Sequence, residues 1–183
     1  QTIVESDDES LDTYEIEQFQ QAVFEAADIR LQKQPGASLL NSFADDQLCL
    51  RGRTGRRVLV RMENGGFLPD ITPWDGRYIT YETGADGLLW AAYKTTRSKG
   101  MIKAEYGFEV NGKEEQVLDV WDTTHNEVWV GNKMVLEQAH AYGFTPVVVQ
   151  IVSLGYGSSL LDKNRVAYEG ESIFFLIRNL YLS

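Results

Sequence analysis

The sequence has little of what most site chemistry needs. One cysteine and two histidines stand among 183 residues, so Cys49 has no partner for an internal disulfide and no His-x-x-x-His spacing exists to hold a metal. With no signal-like apolar run at the N-terminus, a reducing cytoplasm is the simplest compartment for a lone thiol. No apolar run reaches the roughly 18 residues of a membrane-spanning helix, so no membrane partner is expected. Basic charge is also missing from one long stretch: nine acidic residues and no Lys or Arg lie between Gln1 and Ile29.

What is present is an apolar, aromatic chain. Hydrophobic residues make up 43% and aromatics 11%, too many for a disordered segment, and the length suits one domain with a core of its own. The net charge of −10 sits almost wholly in the first 29 residues; from Arg30 onward 18 acidic side chains face 17 basic ones. Arg51 to Lys103 holds ten basic against five acidic residues, and Ala104 to Ser183 five against eleven. That acidic, basic, acidic order bears on association more than on fold. The chain begins at Gln1 and stops at Leu182-Ser183 inside an apolar helical pattern, which suggests a piece of something longer.

Residues 1–11 read as an acidic, flexible lead-in, and residues 12–183 as a single α+β domain. Asp12 with Glu15 has the form of a capping box, and Ile16, Phe19, Val23 and Ala27 then give an apolar stripe over residues 13–33, ended by Pro35-Gly36. A second helix is expected from about Ala37 to Arg51, with Gly52 as its stop. This helical part spans residues 12–52. A β-rich part over residues 56–153 follows, where the apolar period changes from 3.6 to 2. Its expected strands are Val58 to Met62, Phe67 to Ile71, Tyr78 to Glu82, Leu88 to Thr96, Phe108 to Val110, Gln116 to Asp122 and Glu127 to Val130, with turns at Asn64-Gly65-Gly66, Asn111-Gly112 and His125-Asn126. Ser98 to Tyr106 is expected as a short helix. The whole reads as an antiparallel meander, followed by Pro146 to Val152 as a strand buried on both faces and Gly170 to Leu182 as a C-terminal helix.

Few constellations suggest a reaction. Gly155-Tyr156-Gly157 follows a strand, yet it lacks the Lys of a phosphate loop and the third glycine of a dinucleotide fingerprint. Asp122 precedes His125 by three residues, a spacing that suits surface hydrogen bonding at a turn or an acid–base pair. Cys49 reads as a small core residue. Trp74-Asp75 and Trp121-Asp122 suggest stacking on a sugar, which keeps a carbohydrate- or ligand-binding β-rich module open as an alternative. Trp90, Trp121 and Trp129 fall at alternating positions where aromatics cover one sheet face. No catalytic residue, metal ligand or cofactor site is assigned, and no enzyme activity is expected.

The clearest anomaly is Arg51-Gly52-Arg53-Thr54-Gly55-Arg56-Arg57, with Arg61 four residues further on. Four guanidiniums separated by two glycines read as a flexible basic connector between helix and strand. Arg51, Arg53, Arg56 and Arg57 could meet phosphates, or carboxylates on the same chain or a neighbouring copy; the acidic balance of the chain favours protein.

Several segments, taken in order, resemble the portal proteins of tailed bacteriophages. They are Leu50-Arg51-Gly52 leading to Arg57-Val58-Leu59-Val60, Pro69-Asp70-Ile71-Thr72-Pro73-Trp74-Asp75-Gly76-Arg77-Tyr78, and Tyr81-Glu82 through Gly84-Ala85-Asp86-Gly87-Leu88 to Ala91-Ala92-Tyr93. Val117-Leu118-Asp119-Val120-Trp121-Asp122, Gly143-Phe144-Thr145-Pro146-Val147-Val148 and Gly170-Glu171-Ser172-Ile173-Phe174 continue the series. The resemblance spans about residues 12–182 and rests on the order of the segments. It implies a structural virion protein that forms a ring-shaped homo-oligomer and is not itself an enzyme. Double-stranded DNA passes through such a ring during genome packaging, and terminase, capsid and tail-adaptor proteins bind it in head–tail joining. It further implies the peripheral wing, with residues 169–183 starting a stem-like helix, and a place in the host cytoplasm during assembly.

Overall fold

The computed structural model describes residues 12–34, 36–63, 65–152 and 172. The expected lead-in over residues 1–11, the Gly155-Tyr156-Gly157 loop and the helix expected over Gly170 to Leu182 lie outside the described residues. Within them the protein is α+β, with three α-helices, a short 3-10 helix and two antiparallel sheets.

Helix α1 spans Thr13–Gln32 and starts as its sequence predicts: the Asp12 carboxylate accepts the backbone N–H groups of Tyr14 and Glu15, satisfying two of the donors that every helix start leaves unpaired. The buried stripe differs from expectation. Phe19 is exposed, and the residues that pack are Val23, Phe24, Ala27 and Leu31, because only the C-terminal half of α1 lies on a sheet. Helix α2 covers Leu40–Arg51, later than the expected start at Ala37. Its N-cap residue Leu39 has no capping side chain. Asp28 of α1 supplies the missing acceptor, taking the Leu40 N–H at 2.8 Å. Gly52 closes α2 with φ of 71°, a left-handed conformation that favours glycine.

Strand β1 runs Arg53–Glu63 and β2 Gly66–Trp74, paired from Gly55↔Trp74 to Glu63↔Gly66. The basic segment is therefore not a flexible connector. Arg51 ends α2, and Arg53, Arg56 and Arg57 lie in the first half of β1, where β-branched residues on two neighbouring strands complete the ladder. The far neighbour is β8, Val147–Ile151, joined through Arg53↔Ile151 to Arg57↔Val147. Among the described residues it is an edge strand, in the order β2-β1-β8, with Val148 and Ile151 exposed, so the expectation of burial on both faces fails.

The second sheet is a meander, β3-β4-β5-β6-β7. Its strands are β3 Ile79–Gly84, β4 Gly87–Ser98, β5 Glu114–Asp122, β6 His125–Val130 and β7 Lys133–Ala139. Helix α3, Lys99–Tyr106, interrupts it between β4 and β5, capped by Ser98 and ended by Gly107 at φ 66°. The sequence missed β7 and placed a strand at Phe108–Val110, which joins no ladder. The expected turn at His125-Asn126 is displaced to Thr123-Thr124, and His125 opens β6. The tryptophans do not share a face either: Trp121 stands opposite Ala91 and Asn126, whereas Trp90 stands opposite Asp122 and Trp129 opposite Leu118.

Three apolar clusters join these layers. Ala27, Leu31 and Leu40 of the helices meet Ile71 and Val58 on one face of the small sheet. Leu59, Trp74 and Val147 on its other face meet Ile79, Ala91 and Trp121 of the meander. Farther along the same meander face, α3 and the chain after it bury Ile102 and Val110 against Val117, Val128 and Val130. Each fully buried aliphatic or aromatic side chain contributes about 1.5–3 kcal/mol. Two glycines permit the close approach: a Cβ at Gly55 would stand 2.6 Å from Ile79 Cδ1, and one at Gly76 would stand 2.3 Å from the Arg53 carbonyl oxygen.

Candidate functional site

The period-two alternation of β1 sends Arg57, Leu59 and Arg61 to the meander side and Val58 to the helices. Asp70 lies across from Leu59 on β2, so its carboxylate falls between Arg57 and Arg61. It is 2% exposed and engages Arg61 at 2.8 Å, Arg57 at 3.4 Å and, from α1, Arg30 at 2.8 Å. Arg57 also reaches across to the meander, where Asp119 Oδ2 accepts from Nη1 at 3.0 Å. The other Asp119 oxygen accepts from Asn126 at 2.7 Å. One guanidinium thus ties the two sheets together with hydrogen-bonded, charge-assisted contacts.

The four arginines singled out by the sequence are not brought to one place. Arg51 donates through Nε to Gln47 at 2.9 Å and lies 3.4 Å from Asp75. Gln47 is buried and also accepts the Gly76 N–H, so this group holds the end of α2 to the 3-10 helix Gly76–Tyr78. Arg53 is half-buried where its carbonyl crosses Gly76. Arg56 points the other way, its guanidinium 5.9 Å from the Phe24 ring centroid on α1. Arg57 alone belongs to the inter-sheet cluster. The sequence missed Arg30, Asp70 and Asp119; the readable signal was Arg57 and Arg61 at spacing four along one strand, which sets both on one face.

Beside Arg57 a cleft of about 500 Å³ opens over the meander, walled by β1 on one side and by Tyr106 of α3 on the other. The Arg57 guanidinium carbon sits 5.7 Å from the Trp121 ring centroid. Trp121, His140 and Tyr142 continue as an arc of tilted rings, with centroid separations of 5.5 and 4.9 Å. Burial, opposed by the Arg97 guanidinium and reinforced by Glu105, pushes the Tyr106 phenol up to about 12, so it is neutral at ordinary pH. Arg97 engages Glu105 and Tyr106 together.

The other candidates are local. Asp122 accepts the backbone N–H groups of Thr124 and His125, each at 2.6 Å. Burial would raise its carboxyl, but these donors outweigh it and hold it below the usual range. The His125 imidazole contacts Thr124 and not Asp122, so the pair forms a capped turn. Burial likewise works upward on Asp75, and hydrogen bonds from Arg77 with the charges of Arg51 and Arg77 outweigh it. Trp74 is 1% exposed and stacks on Tyr93 at 5.0 Å, and Trp121 is 7% exposed. Both are core residues. Cys49 is half-buried. No group of three or more metal-ligating side chains occurs among the described residues. The sequence matches no family model and no curated protein.

Proposed function

We propose that this chain is a structural part of a tailed-phage portal ring: the peripheral wing of a subunit that assembles with copies of itself in the virion. Terminase, capsid and tail-adaptor proteins would be its other partners, and double-stranded DNA would pass without being read. The observation that carries self-association is the apolar end of the β1–β2 hairpin. Met62 and Phe67 are directly paired there, 65% and 72% exposed, with Val60 on the same face two residues back. Large apolar side chains gathered on one exposed face are what protein interfaces bury. The N-terminal half of α1 is a second exposed region, with Tyr14 and Phe19 each open to solvent among acidic residues. A closed ring uses two different faces of each subunit, so two separate regions suit it better than one.

The portal reading itself rests on the ordered segments, three of which fall on structural joints. Leu50-Arg51-Gly52 is the α2 stop, Pro69 to Tyr78 carries β2 into the 3-10 helix, and Gly84 to Gly87 is the β3–β4 turn. The engagement of Arg51 and Arg57 by carboxylates of their own chain supports weak, passing contact with DNA, because paired guanidiniums have less to offer phosphates. The test is the mass of the full-length gene product in solution, with negative-stain images. Closed rings of one stoichiometry are expected. A monomer that stays monomeric at every concentration, and in the presence of scaffold and capsid proteins, would sink the reading.

A further inference from the structure

Three residues that line the inter-sheet cleft have buried hydrogen-bonding atoms without a partner among the described residues: Arg57 Nε, Trp121 Nε1 and both ring nitrogens of His140. Such atoms are rare in folded proteins because leaving one dry and unpaired is costly. Here the residues that carry them are neighbours, since Arg57 lies against the Trp121 ring and Trp121 against His140. Two of the three residues supply only donors at these atoms, and the imidazole supplies at least one more. What is missing is an acceptor.

The charged groups of the lining are balanced, Arg57 and Arg61 against Asp119 and Glu105. Both carboxylates are already held, Asp119 on both oxygens and Glu105 by Arg97, so neither serves the unpaired donors. Leu59, Val128 and Leu136 give the wall an apolar part, beside the amides of Asn126 and Gln138. The cleft, at about 500 Å³, falls in the range of small-ligand sites.

We propose that this cleft binds a small monocarboxylic acid on an apolar or aromatic body. Its carboxylate accepts from Arg57 Nε, Trp121 Nε1 and His140, and its body lies against Leu59 and Val128. Entry needs the ring arc to part. The Trp121–His140 and His140–Tyr142 contacts are tilted by 34° and 42°, and no hydrogen bond ties the imidazole in place, whereas the His140 backbone is anchored to the Thr124 carbonyl at 2.7 Å. The side chain can therefore turn on a fixed backbone.

The test is a titration with phenylacetate, using 2-phenylethanol as the neutral control, read at the four indole N–H signals by ¹H–¹⁵N NMR. The Trp121 signal, assigned with Trp121→Phe, is expected to shift downfield and saturate with phenylacetate and to move little with the alcohol. His140→Phe keeps a ring in the arc but removes both nitrogens, and Arg57→Lys keeps the charge but removes Nε; each is expected to weaken binding about tenfold, the loss of one good hydrogen bond to an ion. If Trp121→Phe does not fold, His140→Phe and the wild-type titration still decide. No saturable shift of any indole signal overturns the proposal, as does equal binding of acid and alcohol. Unchanged affinity in both His140→Phe and Arg57→Lys overturns it too.

Discussion

At the scale of single residues, Asp70 is the side chain on which most depends. It is nearly fully buried, and Arg30, Arg57 and Arg61 all point at it. Removing one partner of a buried ion pair typically costs about 3–5 kcal/mol. Arg30 and Arg61 are about half exposed and can turn to water, so the loss falls mainly on Arg57, whose side chain is 17% exposed. Asp70→Asn should therefore lower stability by about 2 kcal/mol, seen as a reduced urea midpoint, whereas Glu109→Gln at the surface should change it by less than about 0.5 kcal/mol. Equal effects would show that the cluster is not anchored at Asp70. Acid should act through Asp75 and Asp122. Both carboxyls titrate below their ordinary value in the folded protein. Their contribution is therefore complete above the unfolded value near pH 4 and is lost as pH falls through the lower folded values. Asp75→Asn should be less stable than the parent at pH 7, and the two should converge below about pH 4, measured by urea unfolding across that range. Parallel curves would remove Asp75 from the acid response.

At the scale of elements, the caps and turns were readable and the sheet partners were not. Asp12, Ser98, Gly52 and Gly107 act through bonds to residues two to four positions away, a range that sequence spacing reports directly. Asp28 capping α2 from α1 spans 12 residues and leaves no local mark. Strand β7 escaped because nearly all of it is exposed on both faces, which leaves no alternation to read. The arginine segment looked like a loop because glycine and charge are rare in strands. Its glycine is there for packing: Gly55 lets β1 pass against Ile79, and Gly76 lets the 3-10 helix cross the Arg53 carbonyl. Gly76→Ala meets backbone rather than a movable side chain, so it should cost about 2–3 kcal/mol. Gly100→Ala, where a methyl meets nothing within 4 Å, should be neutral or slightly stabilising in α3. A thermal melt of the two variants separates these outcomes, and matching melts would refute the close-approach account.

At the scale of the molecule, the layers run from helices to small sheet to meander, and α3 lies on the far part of the same meander face. The sequence showed the α+β class and the helices first. It merged two sheets into one because the small sheet takes its strands from opposite ends of the described chain, and no periodicity records that. The candidate site was hidden for the same reason: Arg57, Asp119 and His140 come from three strand regions whose meeting depends on the packing of one sheet on the other. The apolar hairpin end was readable only as alternation. Met62→Lys with Phe67→Glu should leave the melting temperature nearly unchanged, because both side chains are exposed, and should shift assemblies toward monomer by mass photometry. Undiminished assembly would show that the hairpin end is not an interface.

Strand β8 also sets an order in time. Its partner β1 is complete on one side as soon as the neighbouring hairpin forms, but the other side waits for some 90 intervening residues between Arg57 and Val147. Loop closure over that length is paid before any of its bonds is gained. The meander can zip by neighbours alone, so β8 is the last strand to arrive and the first to leave. Amides that join β8 to Arg53–Arg57 should exchange with deuterium well before those between β4 and β5, through openings that leave the meander intact. Exchange at one common rate would mean that both sheets open together. A seam of this kind lets one edge of the protein loosen and close again while the rest keeps its shape.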